Sequence, residues 1–119
     1  MKYLLLLYQN ERIWEGRSRE EAGKIFQEYM DYTKGIHRGG NYIAGEALQP
    51  TATATTVRQR NGKTLTTDGP FAETKEQLGG FYLVEAKDLD EAIKLAGGIP
   101  AVRTGSIEVR PIMPTPPVD

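Results

Sequence analysis

Cysteine is absent from this 119-residue chain, and histidine and tryptophan occur once each. Without cysteine there is no disulfide scaffold, thiolate zinc site, iron–sulfur cluster or thiol nucleophile. One histidine excludes the two-histidine metal motifs and leaves His37 as the sole imidazole for a Ser-His-Asp triad. Scattered carboxylates beside it lack ligand spacing, so no metal site and no cofactor is expected. Neither sign of charge dominates: 15 basic residues face 16 acidic ones, which gives no electrostatic footprint for nucleic acid. Long apolar runs are missing too. Tyr3 to Tyr8 is closed by Gln9, Asn10, Glu11 and Arg12, too short for a signal-peptide core or a membrane span. The expected setting is the cytoplasm.

What is present suits one small domain with one hydrophobic core. The unbroken apolar run Tyr3–Tyr8 reads as a strand buried on both faces. Ser18-Arg19-Glu20-Glu21 fits a capping box in which hydroxyl and carboxylate satisfy each other's free amides. Ala22, Ile25, Phe26, Tyr29, Thr33 and Ile36 then recur at helical spacing, so a helix is expected from Ser18 to Arg38, stopped by Gly39-Gly40. Asn41–Leu48 reads as a second strand and Gln49–Ala54 as a polar connection. Asn61-Gly62 supplies the two positive-φ positions of a type I′ turn, predicting a hairpin over Thr55–Thr67 with Arg60 opposite Lys63. Gly79–Ala86 is a further apolar strand. Asp88 then caps a helix whose stripe is Leu89, Ala92, Ile93 and Ala96, ending at Gly97-Gly98. Ser106–Ile112 alternates as a closing strand.

The order β-α-β, hairpin, β-α-β predicts a ferredoxin-like α+β sandwich over residues 1–112 with the first and third main strands central, followed by a Pro-rich tail over 113–119. Two helices cover one face of such a sheet, yet both central strands are apolar on both faces. An uncovered apolar face on the order of several hundred Å² is uncommon on a monomer, so sheet-to-sheet packing of two copies is expected. The hairpin is too polar to serve as the cover.

The string Thr67-Asp68-Gly69-Pro70-Phe71-Ala72-Glu73-Thr74-Lys75-Glu76-Gln77-Leu78-Gly79-Gly80-Phe81 resembles the DGPF-domain group of the YCII-related superfamily. The likeness extends to the Leu-rich first strand, Gly45-Glu46-Ala47-Leu48, Thr53–Arg58 and Gly105–Pro111. It implies a dimeric α/β barrel and a bacterial protein of unassigned activity, in a group often encoded beside, or fused to, extracytoplasmic-function sigma factors. Some members of the wider family hold a histidine–aspartate pair in a cleft. Those positions fall near Tyr29 and Ile99 here, so neither residue is kept.

Asp68–Leu78 is the candidate for chemistry, because it concentrates acid, base and cation in a loop between strands. In the functional reading Asp68 is a general base, Lys75 an electrostatic helper for an anionic substrate, and Tyr29 or Tyr8 a hydroxyl donor. Phe71, Glu73, Tyr8 and Tyr82 would then line a small-molecule cleft. In the structural reading Asp68 closes an Asx turn, Pro70 starts a helical turn and Phe71 anchors the loop in the core. His37 reads as a helix-terminal surface residue. Arg103 and Arg110 neutralise either a carboxylate ligand or a nearby acid. Two functions follow: a homodimeric small-molecule protein with acid–base chemistry at the Asp68–Leu78 loop, or a non-catalytic regulatory module whose partner belongs to a sigma-factor system.

Overall fold

In a computed structural model that describes residues 1–118, the chain forms β1 (Lys2–Gln9), α1 (Glu11–Glu15), α2 (Arg19–Arg38), β2 (Tyr42–Ala47), β3 (Thr55–Arg60), β4 (Lys63–Asp68), β5 (Gln77–Glu85), α3 (Leu89–Gly97) and β6 (Ser106–Pro111), with 3-10 turns at Thr51–Thr53 and Pro100–Arg103. The main sheet is antiparallel in the order β2-β5-β1-β6, so β1 and β5 are central as expected of a ferredoxin-like α+β fold. Ser18 caps α2 by accepting from the Glu21 amide, while the Glu21 carboxylate accepts from the Ser18 hydroxyl rather than from its amide. Asp88 caps α3 by accepting from the Glu91 amide. No helix is long and apolar enough to cross a membrane among the described residues.

The core lies on one side of the sheet. Tyr3, Leu5 and Leu7 of β1 and Tyr82 and Val84 of β5 are buried beneath Ile36 of α2, Ala92 and Ala96 of α3, and Ile99. The opposite face carries Leu4, Leu6 and Tyr8 beside Leu83, Phe81 and Leu78, none of which is fully buried. The two-sided burial expected of β1 is therefore one-sided within a single chain, because strand alternation sends these residues away from the helices.

The stripe expected on α3 is also corrected. Leu89 and Ile93 are exposed, and Ala92, Leu95 and Ala96 face the core. The small alanines let α3 lie close to the sheet, which turns its larger flanking side chains outward. The hairpin forms as read: β3 pairs with β4 from Thr55–Asp68 to Arg60–Lys63, and Asn61 and Gly62 both have positive φ. It makes a separate two-stranded sheet, exposed along nearly its whole length. Residues 112–118 take no strand or helix; Asp119 of the expected tail lies outside the described residues.

Candidate functional site

The N-terminal half of α2 stands away from the sheet. Of its apolar stripe only Ile36 is buried, whereas Phe26 is 64% exposed and Tyr29 and Thr33 are partly so. Apolar side chains placed at core spacing thus wall a cleft of about 670 Å³ instead of a packed interface. Its floor is Leu7, Gly45 and Tyr82 of the sheet, and its mouth is bounded by Glu11 and Trp14 of α1 and by Leu48–Pro50.

Hydrogen bonds and ring contacts fix that frame. The Glu11 amide donates to Oε1 of Gln77 at 2.9 Å, which ties α1 to the start of β5. The Glu11 carboxylate accepts from the Thr51 amide at 2.8 Å and from the Thr51 hydroxyl at 2.9 Å, closing α1 onto the turn after β2. On the floor the hydroxyls of Thr33 and Tyr82 share a hydrogen bond of 2.9 Å. The Tyr32 hydroxyl donates to the Leu95 carbonyl at 2.7 Å, and its ring meets Tyr82 edge-on at 5.2 Å. Gly45 is required here, since a methyl at that position would fall 2.8 Å from the Tyr82 ring.

Burial pushes the phenols of Tyr29, Tyr32 and Tyr82 above the ordinary tyrosine range. Neighbouring Tyr82 adds to the rise at Tyr29, against the lowering effects of the Ala101 backbone, Arg17 and Arg103. At neutral pH these groups are therefore uncharged hydroxyls, suited to donating hydrogen bonds.

The cleft brings together Tyr29 and Tyr82 of the residues selected from the sequence. Tyr8 is on the opposite face of β1. Asp68, Phe71, Glu73 and Lys75 are exposed and line no part of the cleft, which the connecting segment reaches only from Gln77 onward. The loop around them departs from its expected turn structure. No hydrogen bond reaches the Asp68 carboxylate among the described residues, so there is no Asx turn there. Instead the Gly69 amide donates to the Ala54 carbonyl at 2.7 Å, and the Thr56 hydroxyl donates to the Gly69 carbonyl at 2.8 Å. No helical turn follows Pro70, and Phe71 is 77% exposed rather than packed in the core. Backbone pairing with β3 already fixes this bend, leaving its side chains unused.

Other surface side chains singled out from the sequence are paired within the chain. Arg103 binds Glu28 at 2.6 Å and Arg110 binds Glu108 at 3.4 Å, while the exposed His37 ring stacks on Tyr42. Among the described residues no group of His, Asp and Glu could hold a metal. Residue selection from the sequence passed over α1, with Glu11 and Trp14, and over the cleft role of Phe26. The signals were Asn10 ahead of Glu11 and Gly16 after Glu15, a capping residue and a stop around one turn of helix.

Residues 1–116 match the model of the YCII-related domain. The chain is also 39% identical over 114 residues to a protein of Rhizobium meliloti (strain 1021) that is itself described only as uncharacterized, a match covering 94% of this chain and 92% of that one.

Proposed function

The chain belongs to the YCII-related family, and from that premise we propose that it is a homodimeric small-molecule-binding protein whose ligand occupies the cleft between α1, α2 and the sheet. One observation carries the reading: a cleft of about 670 Å³ walled by aromatic and apolar side chains with a few hydroxyls and amides. That volume and composition are those of small-molecule sites, roughly 300–1,000 Å³. The dimer rests on the half-open face of Leu4, Leu6, Phe81 and Leu83.

A catalytic version assigns acid–base work to Asp68 with Lys75 as helper and Tyr29 as hydroxyl donor. Tyr29 lines the cleft while Asp68 and Lys75 do not, so this version has them meet across two protomers. The regulatory reading, with a partner from a sigma-factor system, draws on the same separation: the phenols of Tyr29 and Tyr82 stay neutral and no histidine is among the residues that line the cleft.

A thermal-shift screen against a metabolite library tests the binding reading. A ligand at about 100 times its Kd raises stability by ~2.7 kcal/mol. The shift is expected to vanish in Phe26→Ala and to persist in Asp68→Asn. Loss in a folded Asp68→Asn would move the site to the loop, and a library without any stabilising compound would leave the regulatory reading in its place.

A further inference from the structure

The charges around the cleft are of one sign. Glu11 and Glu15 border it with their side chains, whereas Glu46, paired with Phe81, sends its carboxylate to the other face of the sheet, and no lysine, arginine or histidine lines it. Neither the Glu11 nor the Glu15 carboxylate takes part in a salt bridge among the described residues. Glu11 is held by the amide and hydroxyl of Thr51, neutral donors that fix its position and leave its charge uncompensated. Glu11 and Glu15 are four residues apart on α1, a spacing that puts like charges on one helix face at a cost to the helix.

The walls suit the same kind of guest. Trp14, Phe26, Tyr29, Tyr42 and Tyr82 all line the cleft, and the negative face of an aromatic ring attracts a cation, most strongly at tryptophan. Trp14 already does this within the chain: the Arg17 guanidinium stands 5.3 Å from its ring centroid. Arg17 and Arg103 both act on Tyr29, and both line a separate cavity of about 20 Å³ beside it instead of the cleft. An anionic guest would thus meet the Glu11 and Glu15 carboxylates without a counter-charge on the wall.

We propose that the ligand is an organic cation, a protonated or quaternary amine carried on an apolar body. The amine faces the α1 carboxylates and the apolar part lies among the rings. This assignment rests on the cleft being the binding site.

Three probes with the same apolar body test it: 4-phenylbutylamine, 4-phenylbutanol and 4-phenylbutyrate, titrated into the intact protein by calorimetry. The amine is expected to bind at least tenfold more tightly than the alcohol, with the carboxylate weakest. In the Glu11→Gln/Glu15→Gln double variant the amine should lose most of that advantage while the alcohol keeps its affinity, which also reports that the cleft is still folded. Equal affinities for amine and alcohol, or preference for the carboxylate, overturn the cation assignment and leave the cleft reading standing. An unchanged amine preference in the double variant overturns the role of the α1 carboxylates. Failure of all three probes to bind at millimolar concentration overturns both the assignment and the reading on which it rests.

Discussion

Gly105 marks a place where two backbone segments nearly touch. A Cβ there would run into the carbonyl of Tyr8, at the crossing from the Pro100–Arg103 turn into β6. Backbone cannot yield as a flexible side chain does, so Gly105→Ala is expected to cost at least about 1–3 kcal/mol, the range for overpacking, as read from urea denaturation. Tyr82 makes a different kind of residue-level demand. Burial raises its phenol above 10.0, partly offset by the hydrogen bond with Thr33. The folded state therefore holds the proton more tightly than the unfolded state, and stability falls once the pH rises past the unfolded value. Denaturation midpoints should stay level up to about pH 9 and drop above about pH 10. Tyr82→Phe should make that alkaline drop shallower.

The β3–β4 arm shows how an element can be well formed and yet carry no load for the body. Its strands pair fully with each other, and its side chains are nearly all exposed. Removing Arg58–Leu65 and joining Val57 to Thr66 through Asn-Gly is expected to change body stability by less than about 0.5 kcal/mol, the scale of surface changes away from packed features; thermal unfolding by circular dichroism checks this. The arm was legible from Asn61-Gly62 because an I′ turn has a local chemical signature. The central strands were legible as unbroken apolar runs, and α2 and α3 through apolar periodicity and the caps Ser18 and Asp88. The cleft was not. It depends on how far the start of α2 stands from the sheet, and periodicity gives Phe26 the same sign whether it faces a core or a cavity. The one-turn α1 was equally hidden, since Asn10 to Gly16 reads as a turn until Gln77 and Thr51 are seen to grip Glu11. The loop at Asp68–Leu78 drew attention by its composition, while around Asp68 its hydrogen bonds use backbone groups of Gly69 and Phe71, and side chains take part only from Thr74 onward.

At the scale of the whole molecule the chain is broad and thin, 48 × 46 × 22 Å, with a radius of gyration of 16.5 Å. A compact domain of this length has about 13–14 Å. The excess reflects a one-layer sheet with helices on a single side and an arm projecting from it. Putting a charge at Leu6, in the middle of the half-open face, tests whether a second copy supplies the missing layer. Leu6→Asp is expected to halve the mass measured by light scattering while the circular dichroism spectrum keeps its helix and strand signals. A wild-type chain that already has the mass of one protomer would contradict the dimer.

The single tryptophan stands on α1 at the mouth of the cleft, half-exposed. All indole emission from this protein consequently originates at the candidate site. A guest that displaces water from Trp14 should shift that emission to the blue and shield it from iodide, so occupancy is readable without any label. Because cysteine is also absent, one thiol introduced on the arm or the outer face can carry an acceptor dye for energy transfer from Trp14. The protein thus brings its own optical donor, placed where the chemistry is in question.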